Sequence, residues 1–279
     1  MGLKNKNIFY ITLIVIVIFS TFYFNIGTNL EINVNMCELG DKKINFENID
    51  SKLYIVGHAY GKPGEGDFFP ENLTNYLKAD SELHLKNDYI ALTGDFVRIA
   101  SLENLQKVKE YLGNNFKDFF ISPGNHEVDE FQNYSNIFKF DFYSKEFNNY
   151  LLISANFSTN NWLPSDEQKE KINELINESK KEVVVLLSHQ IFWLKEFPDD
   201  LNPNSYDLLK YELSQNSLYW IENLDDKKLV IISGDYGAWG DKTYCNYRED
   251  ITFIANGIGN HPNDSLIEII EFRNNLLIQ

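Results

Sequence analysis

Basic residues are the first shortage in this chain: 25 Lys and Arg stand against 41 Asp and Glu in 279 residues, a formal charge of -16. Such a field repels nucleic acid and anionic lipid surfaces within a Debye length, so neither is expected as a general partner. An anionic substrate is admitted only where a local cation, such as a bound metal, inverts the field. Cysteine is nearly absent. Cys37 and Cys245 fit no zinc motif, and they leave open either one disulfide in an exported domain or two free thiols. Histidine is scarce as well, with five in all, so the places where it falls carry information. The glycine-containing stretch YIVGHAYGKPGEG (54–66) lacks the Gly-Lys-Ser/Thr that would follow in a phosphate-binding loop. No internal repeat is present.

What the chain does have begins with an apolar run, IFYITLIVIVIFSTFYF (8–24), of 17 residues, at the lower limit for crossing a bilayer. Lys4 and Lys6 precede it, which keeps the N-terminus cytoplasmic and sends the remainder across the membrane. No small-x-small cleavage site follows, so the run reads as an uncleaved signal-anchor rather than a signal peptide; cleavage would make the protein secreted. The expected organisation is a short cytoplasmic N-terminus (1–7), a transmembrane helix (8–26), a polar tether with one edge strand (27–51) and a globular domain (52–279) on the extracytoplasmic side. A hydrophobic content of 43% supports a sizeable core in that domain.

From residue 52 onward, short apolar runs alternate with helical patterns. Strands are expected at LYIVG (53–57), DYIALTG (88–94), DFFIS (118–122), YLLISAN (150–156) and EVVVLLS (182–188), the last reading as buried on both faces. Helices are expected at 70–79, opened by Pro70; at 101–113, capped by Ser101 and stopped by Gly113; and at 165–181, capped by Ser165. LVIISG, TYCNYR, TFIANG and LIEIIEF then finish the chain as what looks like an antiparallel meander. Two sheets flanked by helices accommodate both halves.

Polar, metal-capable residues recur just beyond the apolar strands: His58, Asp95, Asn125 with His126, His189 and Asp235. In open α/β sheets ligands collect outside the carboxyl ends of strands, so these side chains are expected to share one crevice. Three of the five histidines occupy such ends; His84 reads as a surface residue and His261 as part of a turn. A carboxylate able to bridge hard cations, a neutral carbonyl and imidazoles together suit a transition-metal site for phosphate chemistry. Each is unremarkable alone, since TGD, SGD and PGN are common turns; the ordered set carries the signal.

The segments IVGHAYG (55–61), LTGDFVR (92–98), PGNHE (123–127), LLSHQ (186–190) and ISGDYGA (232–238) resemble, in order and interval, the motifs of the calcineurin-like metallophosphoesterases, from about residue 52 to 257. The resemblance implies a four-layer αββα sandwich and a dinuclear metal centre. Carried over, Asp95 bridges the metals and serves catalysis, Asn125 and His189 bind the second metal, and His126 holds the phosphate or protonates the leaving oxygen. Arg98 would touch a substrate phosphate, or else form a structural salt bridge. Two motifs depart from the family. His58-Ala59-Tyr60 stands for Asp-x-His, and Gly234-Asp235-Tyr236-Gly237 for Gly-His-x-His.

The expected metal set is therefore His58, Asp95, Asn125, His189 and Asp235, holding Mn, Fe or Zn in one firm site, with a second, weaker site left open. Tyr60 and Arg98 are the expected substrate contacts. The reading is a membrane-anchored, metal-dependent phosphatase or phosphodiesterase acting on a phosphorylated small molecule or an envelope-associated phosphoester. The rival is a catalytically degenerate domain that binds a ligand or partner, and a purely structural envelope module is the third. Phe68, Phe69, Trp193 and Phe197, in loops beside the motifs, are read either as substrate walls or as core cover.

Overall fold

The computed structural model describes residues 31–34, 49–61, 66, 68–80, 88–139, 141–160, 162–193, 218–221, 224–236, 243–257, 266–272 and 275–278. The transmembrane helix expected at 8–26 lies outside them, as does most of the tether. Among the described residues no helix is long and apolar enough to cross a membrane.

One six-stranded sheet contains β1 (Glu31–Val34), β2 (Ser51–Val56), β3 (Tyr89–Leu92), β4 (Asp118–Ile121), β11 (Ile267–Phe272) and β12 (Asn275–Ile278) in the order β1-β12-β11-β2-β3-β4. The other contains β5 (Phe142–Glu146), β6 (Tyr150–Ala155), β7 (Val183–Ser188), β8 (Lys228–Ser233), β9 (Tyr244–Arg248) and β10 (Ile251–Ala255) in the order β5-β6-β7-β8-β10-β9. Strands β2, β3 and β4 are parallel, and so are β6, β7, β8 and β10. Their carboxyl ends therefore point the same way within each sheet.

Alternation of side chains along these strands divides the core into three layers. Leu53, Ile55, Ala91 and Phe120 of the first sheet share a buried cluster with Val183, Val185, Leu187, Val230 and Ile232 of the second, so the two sheets pack face to face. The opposite face of the first sheet, with Tyr54, Val56, Ile90 and Leu92, is covered by α1 (Glu71–Asp80) through Leu73 and Leu77 and by α2 (Leu102–Asn115) through Leu105, Val108 and Leu112. Burying each of these α2 side chains contributes about 1.5–3 kcal/mol relative to exposure. On the second sheet, Val184, Leu186 and Ile231 meet Ile172 and Ile176 of α5 (Asp166–Glu178). Helices thus lie outside both sheets, as the αββα expectation requires.

The caps form where the sequence places them. Ser101 accepts a hydrogen bond from Asn104 N at 3.1 Å, and Ser165 with Gln168 makes a reciprocal capping box. Gly113 does not stop α2. The helix runs to Asn115 and closes where Phe116 N donates to Leu112 O, because a glycine one turn from an end costs too little to break it.

The final strands differ from the expected meander. Of the four expected strands only β9 and β10 pair as a hairpin; β10 runs parallel to β8, and β11 leaves for the other sheet, pairing antiparallel with β2 and with β12. Of the aromatic residues read either as substrate walls or as core cover, Trp193 and Phe69 are core. Trp193 is fully buried and its indole N–H donates to Ser233 Oγ at 3.0 Å, Phe69 is buried under α1 and α2, and Phe68 packs on the same cluster. Phe197 lies outside the described residues.

Candidate metal centre

Five connections following parallel strands bring the site together. Backbone pairing continues past the strand ends: Thr93 N donates to Val56 O and Ser122 N to Leu92 O in one sheet, while Gly234 N donates to Ser188 O and Asp235 N to His189 O in the other. The loops after β2 and β3 clasp each other, with His58 N donating to Gly94 O and Tyr60 N to Asp95 O, both at 3.1 Å. His58 and Asp95 sit at φ 49° and 48°, in the left-handed region that non-glycine residues avoid at a cost of about 1–3 kcal/mol. This strain turns both side chains off the strand direction and toward the second sheet.

Asp95, His189 and Asp235 converge from three strand ends. One ligand atom from each lies within 4.8 Å of the other two. His189 Nε2 is 3.5 Å from Asp95 Oδ1 and 3.6 Å from Asp235 Oδ1, and all three side chains are buried. His189 Nδ1 donates to Thr93 O at 2.9 Å, which holds the ring so that Nε2 faces two carboxylate oxygens. That Nε2 makes no hydrogen bond among the described residues. A buried imidazole Nε2 set against two carboxylates calls for positive charge at that point, a ring proton or a bound cation. Donation of the other ring N–H to a carbonyl is the arrangement that orients a metal-ligating imidazole.

Close approach shapes the same spot. A Cβ on Gly124 would meet Asp95 N at 2.7 Å and His189 Nε2 at 2.9 Å, and Gly94, at φ 83°, lies against the His189 ring. The backbone of PGN can therefore lean over Asp95. Asn125 and His126 begin the short helix α3 (Asn125–Val128), and His126 N points at Asp95 Oδ1 from 3.4 Å. Asn125 lies between these two contacts in the chain. One nitrogen, two carboxylates and an adjacent amide carbonyl suit a borderline transition ion such as zinc, manganese or iron.

The remaining expected residues lie to one side. His58 Nε2 is 3.5 Å from Asp95 Oδ2, on the carboxylate edge away from His189, and His58 is not in the three-ligand group. Tyr60 is buried, with its hydroxyl 3.4 Å from His126 Nε2. His126 Nδ1 donates to the Arg98 carbonyl at 2.8 Å. Arg98 itself is exposed, and its guanidinium makes no ion pair among the described residues, which removes the salt-bridge alternative within them. His84 and His261 fall outside the described residues.

Charge states follow from this packing. Burial pushes the Asp95 carboxyl up, but His189, His58 and His126 together outweigh it and hold Asp95 below the usual carboxylate range. Burial lowers His58, with His189 and His126 adding to the effect and Asp95 opposing it. Burial, then the Asp95 and Glu127 charges, push the Tyr60 phenol up, so it keeps its proton.

Sequence reasoning missed two contributors. Glu127, fully buried, accepts the backbone N–H groups of Asp95 (2.9 Å), Gly124 (2.8 Å), Phe96 (2.9 Å) and Val97 (3.1 Å), tying the two ligand loops to one carboxylate. Burial, then the Asp95 charge, push its pKa up to about 8 against the pull of the backbone donors. Asn256, at the end of β10, is buried beside Gly57 and Gly234, where its N–H donates to Ser233 O and its carbonyl accepts from Tyr236 N. The signal for it was present, because FIANG repeats the pattern of an apolar strand ending in a polar residue.

A family model for calcineurin-like phosphoesterases matches residues 58–216. No curated protein matches the chain. Among solved structures, Vps29 from Chaetomium thermophilum is similar at 10% identity and a TM-score of 0.38, over 80% of this chain and 82% of that one. A 5'-nucleotidase from Candida albicans is similar at 9% identity and a TM-score of 0.37, over 77% of this chain and 47% of that one. A protein serine/threonine phosphatase from Saccharomyces cerevisiae is similar at 12% identity and a TM-score of 0.33, over 90% and 82% of the two chains. The matched span opens on His58, takes in Asp95, Asn125, His126 and His189, and covers more than half of the residues: this chain belongs to the calcineurin-like phosphoesterase family.

Proposed function

We propose that this protein is a membrane-anchored, metal-dependent phosphoester hydrolase, a phosphatase or phosphodiesterase, working on the extracytoplasmic side. One observation carries the reading: the buried His189 Nε2 lies between Asp95 Oδ1 and Asp235 Oδ1 with no hydrogen bond among the described residues. Asp95, His189 and Asp235, with Asn125 beside them, would hold a divalent Mn, Fe or Zn ion. When bound, that ion supplies Lewis-acid polarisation of a phosphoryl oxygen and a water nucleophile at neutral pH.

The chain's own residues do the rest. Asp95, shared between the ion site and His58, fixes where the phosphoryl group can approach. His126, on the rim with its Nδ1–H tied to Arg98 O, sets Nε2 beside the Tyr60 hydroxyl, and the pair would hydrogen-bond the substrate phosphate. Arg98, whose guanidinium makes no ion pair among the described residues, supplies a positive charge beside it, which offsets the acidic surface for an anionic substrate. A phosphorylated small molecule or an envelope-associated phosphoester fits this arrangement. Extracytoplasmic placement draws support from the basic-flanked apolar run at 8–24 and from Cys245 of β9, which is disulfide-bonded; the chain holds one other cysteine, Cys37. Disulfides persist in oxidising compartments.

The second reading, a ligand-binding domain without turnover, is favoured by the chemistry of the first and last motifs, where Tyr60 and Gly237 stand in place of imidazoles. The test is a panel of phosphomonoesters and phosphodiesters on full-length wild type and Asp95→Ala, scored together with bound metal. Metal-dependent turnover in wild type and its loss with the metal in Asp95→Ala is the expected result. Equal low rates in both, or metal binding without turnover on any substrate, would refute the hydrolase reading.

A further inference from the structure

We propose that the centre is mononuclear, with Tyr60 filling the half of the cleft where a second ion would sit. This rests on the metal-dependent reading above and departs from the two-metal arrangement that the family resemblance implies. The reason lies in the donors on either side of Asp95. On the Oδ1 side stand His189 and Asp235, and the three side chains form a compact set. On the Oδ2 side, among the described residues, stands His58 alone, 3.5 Å away and outside that set.

The next side chain on the His58 side is Tyr60. Its ring lies 4.6 Å from the His58 ring and 5.1 Å from the His126 ring, centroid to centroid, so three aromatic rings occupy the space in sequence. The direction of its hydrogen bond follows from its neighbour. His126 Nδ1 donates to Arg98 O, so Nε2 accepts and the Tyr60 hydroxyl, 3.4 Å away, donates. The phenol hydrogen is therefore held by His126 Nε2, and the oxygen faces the cleft as a neutral phenol rather than as a phenolate ligand. A second ion would find His58 and one shared Asp95 oxygen, about half of the four donors that such ions take. The Gly237 that ends the last motif brings no side chain to make up the difference. Tyr60 thus supplies a neutral hydrogen-bond donor beside His126 where the family supplies a cation.

Metal counting tests this without relying on turnover. Full-length protein is stripped with chelator, reloaded with Mn(II), desalted, and examined by elemental analysis and electron paramagnetic resonance. The expected result is about one ion per chain with an uncoupled signal, a normal count for a single closed site. His58→Ala and Tyr60→Phe are expected to keep that ion, and Asp235→Ala to lose it. The double variant His58→Asp/Tyr60→His, which restores a carboxylate and an imidazole to the first motif, is expected to gain a second ion and spin coupling. Two ions or a coupled signal in wild type overturn the mononuclear assignment and leave the hydrolase reading intact, whereas no bound ion overturns both. Loss of the ion in His58→Ala, or no gain in the double variant, also counts against the proposal.

Discussion

Replacing Glu127 by glutamine tests whether one buried carboxylate holds the two ligand loops in place. Oε2 accepts from Asp95 N and Gly124 N, and Oε1 accepts from Phe96 N and Val97 N. An amide keeps only one of those oxygens. Whichever way it is turned, its NH2 faces two buried backbone N–H groups that then lack an acceptor. Hydrogen bonds to a charged group contribute about 1.5–3 kcal/mol each, and two are lost. Removing the charge relieves part of the cost of burying it. The net expectation is a destabilisation of about 3 kcal/mol, a large share of a total stability of about 5–15 kcal/mol. Equilibrium urea unfolding of metal-free protein about one pH unit above the raised Glu127 pKa, where the carboxylate is charged, measures it, as a fall in midpoint at unchanged slope. Metal titration of the folded fraction is expected to show weakened binding as well, because the Asp95 loop sits at positive φ and needs the clamp. A loss below about 1 kcal/mol with undiminished metal affinity would show that the four contacts position nothing.

Three further outcomes can be measured. Gly124→Ala drives a methyl group against Asp95 N and His189 Nε2, so metal affinity by calorimetry is expected to collapse while stability falls by only about 1–3 kcal/mol; unchanged affinity would mean the loop moves freely. Cys245→Ser, or reductant added to wild type, is expected to cost about 2–4 kcal/mol, seen as a lower melting temperature; an unshifted transition would show that the disulfide does not contribute. Lys145 lies over the rings of Tyr89 (4.7 Å), Phe120 (5.6 Å) and Phe147 (5.7 Å) and pairs with Asp118 at 3.0 Å. Lys145→Ala is expected to lose about 1–2 kcal/mol with weak salt dependence, and a loss abolished by high salt would reduce the contact to a simple surface ion pair.

The strand ends were legible because burial on both faces leaves a continuous apolar run, and the first polar residue after it marks where the strand leaves the sheet. That reasoning located His58, Asp95, His126, His189 and Asp235 around one crevice. It did not reveal strand order. Short turns between LVIISG, TYCNYR and TFIANG suggest neighbours in space, yet β10 inserts beside β8 and pushes β9 to the edge, a choice made by packing across the sheet rather than by any local signal. Strand β5 escaped notice because its half-exposed Phe-Tyr-Ser-Lys-Glu carries no apolar run. Glu127 was visible as a letter in PGNHE, but its partners are backbone N–H groups about thirty residues earlier, and no side chain announces a backbone donor. Trp193 and Phe69 were ambiguous because an aromatic next to a motif looks the same whether it faces a ligand or the core.

The pairing of β1 with β12 bears on how this protein can be handled. Residues 31–34 run parallel to 275–278, so a strand from before the globular domain shields an otherwise open sheet border. A fragment cut at residue 45 to remove the apolar N-terminal run would strip that cover and leave β12 as a bare template for cross-chain pairing. Trimming that stops short of Glu31 keeps the border closed. Insolubility of a shorter fragment would then report a lost neighbour strand, not a defective fold.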